Sequence, residues 1–137
     1  MAIQRLEPLL SHKVFRWASG ISALVALTLG VLGALIGNPS VRPVHAALAM
    51  VFLATSLLAG LAARRYGKDS HTSGLAPHGL GVFAVAVAQY ALGELHQTVA
   101  HIVVGILLVI GAGALFAMSL RQPVIVTGSD AGGSPRP

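Results

Sequence analysis

Four long apolar runs, 17–36, 44–63, 78–92 and 95–120, decide what this chain can fold into. A helix crosses the roughly 30 Å of bilayer hydrocarbon with about 20 apolar residues. The first run holds no charge, and Pro43 stands just before the second, where a first-turn proline fits. Pro77 precedes the third run, and Arg121 and Pro123 stop the fourth. In lipid each backbone N–H and C=O must pair inside its own helix or in a closed barrel. Runs of this length without alternating polarity exclude the barrel. The expected fold is all-α, an integral membrane four-helix bundle.

Composition supports the same reading. Hydrophobic residues make up 55% of the chain and charged residues 9%, whereas a soluble domain carries roughly a quarter charged. Nine Lys and Arg with four Asp and Glu cannot wet the surface of a soluble globule. A soluble enzyme, a nucleic-acid reader and a disordered segment all fit such a chain poorly. With no cysteine there is no disulfide, thiolate nucleophile or zinc–thiolate site.

The cationic excess orients the spans. Arg5, Lys13 and Arg16 precede the first run, Arg64, Arg65 and Lys68 lie between the second and third, and Arg121 and Arg136 follow the fourth. Only Arg42 falls on the other side. By the positive-inside rule both termini are cytoplasmic, in a multi-pass protein of the cytoplasmic membrane. Residues 1–16, with Ile3, Leu6, Leu9, Leu10 and Val14 among polar neighbours, read as a separate cytoplasmic segment able to lie as an interfacial helix. A cleaved signal peptide is not expected, because the apolar run is too long and lacks a small-residue cleavage site. The stretch 122–137, rich in Gly, Ser and Pro after Thr127, reads as a disordered tail.

The second and fourth runs can be superposed, VHAALAMVFLATSLLAG on LHQTVAHIVVGILLVIG. His45 then falls on His96, Ala49 on Ala100 and Gly60 on Gly111, and a Leu-Gly pair (Leu32-Gly33, Leu92-Gly93) precedes each histidine. The chain reads as two helical hairpins of one design, parallel repeats about an axis along the membrane normal.

Six histidines in so apolar a chain call for an account. An ionisable group in a span is costly unless it faces the bundle or a wet cavity. His12 and His71 read as solvated residues, and His78 as an interfacial residue opening the third helix. His45 and His96 both fall in the expected first turn of a helix running inward, at matched depth. Two imidazoles so placed can hold a haem iron from both sides, and bis-histidine ligation suits electron transfer because no coordination position stays open. Ala49 and Ala100, one turn deeper on the same faces, leave room beside a flat macrocycle. His101 is the alternative ligand, a proton carrier, or a partner for Gln89 or Tyr90. It lies about 7.5 Å deeper than His96 and turned away from it.

At QYALG followed by LH (89–93, 95–96), and at VH-x-x-x-A (44–49), the sequence resembles one four-helix half of the haem A synthase family, and with it small b-type cytochrome-like membrane proteins. The resemblance covers roughly 17–120. It implies histidines near the outer ends of the second and fourth helices, here His45 and His96, with Gln89, Leu92 and Gly93 matching in the third. The departures are a single four-helix unit, a short loop at 37–42 without a cysteine pair, and no carboxylate one turn from His45; Glu94 is the only acidic residue near either histidine. Oxidation of a farnesylated haem is therefore not carried over. Haem b binding is.

The expected function is a small membrane protein binding haem b between its second and fourth helices, for electron transfer or haem handling rather than catalysis. His45 and His96 are its axial ligands. Arg42 matches a haem propionate, since guanidinium fits carboxylate geometry, and Gln89 and Tyr90 are hydrogen-bond donors behind the ligands. Its partners are the lipid bilayer and a second copy or a membrane redox protein, not nucleic acid. The alternatives are a cofactor-free accessory subunit, whose small residues (Gly30, Gly33, Ala34, Gly105, Gly111, Gly113) favour helix association, and a small transporter. The transporter lacks an acidic residue within a span. No nucleophile, base and orienting carboxylate can be assembled for a hydrolase or nuclease.

Overall fold

The computed structural model describes residues 3–121, with side chains from Leu10 onward. It contains four helices and, among the described residues, no strand: α1 Ile3–Ala34, α2 Val41–Asp69, α3 Leu75–Glu94 and α4 Thr98–Ser119. Each carries an apolar stretch long enough to cross a membrane. The expected tail at 122–137 lies outside the described residues, as do the side chains of Ile3, Arg5, Leu6 and Leu9.

Residues 3–16 are continuous with the first span. α1 runs unbroken from Ile3, and its early turns are packed: Ser11 and Phe15 are buried. Packing against α2 and α4 explains why the helix does not break where its sequence becomes polar. Phe15 stacks on Tyr66 of α2 with ring centres 5.7 Å apart, and Nε2 of His12 donates to the Ser119 carbonyl of α4 at 2.9 Å. His12 also lies 4.9 Å from the Tyr66 ring. It is half-buried, not the solvated residue expected from its position.

α1 packs on α2 and α4, and α3 packs on the same two, so α2 and α4 stand on one diagonal of the bundle. One core cluster gathers Phe15, Ala59, Ala63, Tyr66, Leu75 and Leu115 toward the end bearing the termini. The other, Ala26, Phe52, Val82, Ala86, Leu108 and Ala112, fills the middle. The surface is strongly apolar, with Leu24, Ile106 and Ile110 exposed, as helices facing lipid require. α2 and α3 cross closest at Gly60 and Gly79. A β-carbon on Gly79 would sit 3.0 Å from both the Gly60 Cα and the Ala63 Cβ. Small residues that let backbones meet are what drives helix association in lipid.

Polar groups in the spans turn back on their own helices. Ser19 Oγ donates to the Phe15 carbonyl at 2.7 Å and Thr28 Oγ1 to the Leu24 carbonyl at 2.9 Å. Ser22 is buried with its hydroxyl unpartnered.

Two turns close with the same device. His71 after α2 and His96 after α3 have φ of 54° and 56°. Around His71, Thr72 N donates to Gly67 O at 2.9 Å and His71 N to Lys68 O at 3.4 Å. Around His96, Gln97 N donates to Leu92 O at 3.0 Å and His96 N to Gly93 O at 3.1 Å. Each is a Schellman closure, with the histidine in the left-handed position usually given to glycine.

Candidate functional site

The end of the bundle that carries the α1–α2 and α3–α4 turns brings together residues from all four helices. His45 is the fifth residue of α2 and His101 the fourth of α4, so the two stand at the same level on diagonal helices. Their rings come together with centres 6.3 Å apart and planes tilted by 56°. Gly33 of α1 backs His45, a β-carbon there falling 3.7 Å from the imidazole Cε1.

His101 is held by α3. Its Nδ1 lies 3.0 Å from the main-chain carbonyl of Gln89, and the Gln89 amide Nε2 donates to the His101 carbonyl at 2.8 Å. A carbonyl only accepts, so Nδ1 carries the proton and Nε2 keeps its lone pair. This is the orientation that a metal-binding imidazole needs, with one nitrogen bonded to the protein and the other bare. His45 differs: its buried Nδ1 has no hydrogen-bond partner, and neither has Oε1 of Gln89. A buried polar atom left unpaired costs about 1–3 kcal/mol, so each marks a place where a partner is wanted.

The remaining expected residues are distributed differently. His96 does not open α4. It lies in the turn before Thr98, exposed, closing α3 in the left-handed conformation. The ring that meets His45 belongs to His101, the alternative ligand. Ala49, one turn below His45, is half-buried, but Ala100 is exposed. Tyr90 is 37% exposed, although its neighbour Gln89 is turned inward onto α4. Arg42, second in α2, is exposed at the same end of the bundle.

Counted from the helix starts that the structure shows, His45 and His101 differ by one position. His78 has a structural bond instead, its Nε2 donating to the Gly111 carbonyl at 3.2 Å. Among the described residues no group of three His, Cys, Asp or Glu forms a metal cage, so the chemistry open to this site is that of two imidazoles.

The spacing tests whether a haem iron suits that pair. Two metal–imidazole bonds of about 2 Å, with each nitrogen about 1.1 Å from its ring centre, put the centres about 6.2 Å apart. The two ring centres are 6.3 Å apart, with the planes tilted by 56°. Comparison with protein-family models, with curated proteins and with solved structures finds no match to this chain.

Proposed function

We propose that the protein binds haem b between α2 and α4, with His45 and His101 as axial ligands, and serves electron transfer or haem handling in a membrane. The observation that carries this reading is the pair of imidazoles at 6.3 Å on diagonal helices. The unpaired Nδ1 of His45 supports it, because that ring is not consumed by a bond within the protein, as those of His12 and His78 are. Haem held by His45 and His101 would supply a one-electron carrier.

The chain's own residues do the rest. Gln89 orients His101 from behind, and Gly33 lets α1 approach His45. About two turns deeper, Phe52, Val82 and Leu108 close the bundle and keep water from passing along its axis. Arg42 is the cation available at this end for a propionate.

Topology follows from charge. Lys13, Arg16, Arg64, Arg65, Lys68 and Arg121 lie toward the end away from His45 and His101, and Arg42 toward theirs. On the positive-inside rule both termini face the cytoplasm and the histidine pair lies near the outer leaflet of the cell membrane. The two hairpins then run as parallel repeats, and a redox partner, or a second copy, meets the haem from the outer side.

The deciding experiment is the absorption spectrum of detergent-purified protein after haem supplementation. The wild type and His96→Ala should show the Soret and α bands of a six-coordinate haem. His45→Ala and His101→Ala should each lose haem or turn it high-spin. A wild type without a Soret band overturns the proposal and leaves the cofactor-free subunit. The transporter reading has less to draw on, since Asp69 and Glu94 are exposed at helix ends.

A further inference from the structure

The bond between Gln89 and His101 is reciprocal, and its geometry is matched on both sides. Each side chain donates to the other residue's main-chain carbonyl, at 2.8 Å from Gln89 Nε2 and 3.0 Å from His101 Nδ1. Both carbonyls lie inside helices, where each also accepts the amide four residues on. A carbonyl oxygen has two lone pairs and can take both donors. In both helices that fourth residue is glycine: Gly93 after Gln89, Gly105 after His101.

The glycines are what let the side chains reach across. A β-carbon on Gly93 would lie 3.1 Å from Cε1 and 3.3 Å from Nδ1 of His101. One on Gly105 would lie 2.9 Å from Nε2 and 3.7 Å from Cδ of Gln89. Both are closer than the ordinary 3.5–4.0 Å contact between carbon atoms. Each side chain therefore lies flat on the opposing backbone, in the gap left by the missing β-carbon. Neither bond survives unchanged if its gap is filled.

We propose that Gln89, Gly93, His101 and Gly105 form a latch between α3 and α4 that fixes the His101 imidazole in its Nδ1–H tautomer. Gln89 is thereby a positioning residue for His101. The use made of the bare Nε2 rests on the haem reading, but the latch itself does not. Alanine is a better helix former than glycine, so loss of the latch in such variants is not loss of the helix.

The test is nitrogen-15 NMR of the histidine side chains in the full-length protein in micelles, without haem, the His101 signals being assigned by their absence in His101→Ala. In the wild type the proton of His101 should reside on Nδ1. Gly93→Ala should lose that signal in favour of the Nε2–H form, and Gly105→Ala should weaken it, whereas Gly113→Ala, where a β-carbon meets nothing within 4 Å, should keep it. In a Gln89→Ala background Gly105→Ala should add nothing, because the atoms its β-carbon meets within 4 Å belong to Gln89. A wild-type His101 protonated on Nε2, or Gly93→Ala indistinguishable from Gly113→Ala, overturns the latch. A wild type that holds the Nδ1–H form yet takes up no haem supports the latch and overturns the proposed function.

Discussion

Replacing Gly79 by leucine tests the packing on which the bundle rests. Even the first added carbon, 3.0 Å from the Gly60 Cα and the Ala63 Cβ, must move by 0.5 Å or more to reach an ordinary contact. In Gly79→Ala this overpacking, about 1 kcal/mol, is nearly offset by the similar gain in helix propensity. Leucine brings three more carbons into the crossing and forces α2 and α3 apart. The cost rises to about 2–3 kcal/mol while the propensity gain stays near 0.8 kcal/mol, for a net loss of about 1.2–2.2 kcal/mol. That is a shift of roughly eight- to fortyfold in the unfolding equilibrium.

SDS-driven unfolding from mild detergent micelles, followed by far-ultraviolet circular dichroism, reads this as a lower midpoint. Gly60→Ala should behave like Gly79→Ala, since its β-carbon meets the Gly79 main chain, O at 3.0 Å and C at 3.1 Å, as close and as fixed as the atoms opposite Gly79. Gly81→Leu, two residues along the same helix in open space, is the control and should leave the midpoint in place or raise it. If Gly79→Leu and Gly81→Leu unfold together, the close crossing is not what holds α2 to α3.

Three further outcomes follow from single sites. His96→Gly should keep any haem spectrum intact and raise the unfolding midpoint by about 1 kcal/mol, because it relieves a left-handed non-glycine residue; loss of the spectrum would restore His96 as a ligand. Ser22→Ala should be neutral or stabilising, as it deletes a buried hydroxyl with no partner, whereas Ser19→Ala should cost about 0.6 kcal/mol for its 2.7 Å bond to Phe15. The same unfolding assay reads both. Free haem at a hundred times its dissociation constant should stabilise the wild type by about 2.7 kcal/mol. His101→Ala should show no such increment in the same titration, and an equal one would refute its role.

The fold was legible because hydropathy in lipid is a length measurement: four runs near the thickness of the hydrocarbon gave four helices. What hydropathy does not encode is where a helix stops. The usual sign, a glycine in the left-handed closing position, is absent after α3. Gly93 comes too early, and His96 takes the position instead. Reading His96 as the first turn of α4 therefore placed it level with His45, and apolar helices superpose well enough at many offsets to hide the error.

Nor does hydropathy say which way a residue faces when the surface is as apolar as the core. In such a bundle, orientation is carried by the few polar atoms, because each one inside must find a partner. His12 finds Ser119, His78 finds Gly111 and His101 finds Gln89, all through main-chain carbonyls that no side-chain pattern announces. His45 is the ring left without one at its buried nitrogen, and its centre stands 6.3 Å from that of His101. On the proposed function, a ligand held by those two rings would meet one imidazole, His101, that α3 has already oriented.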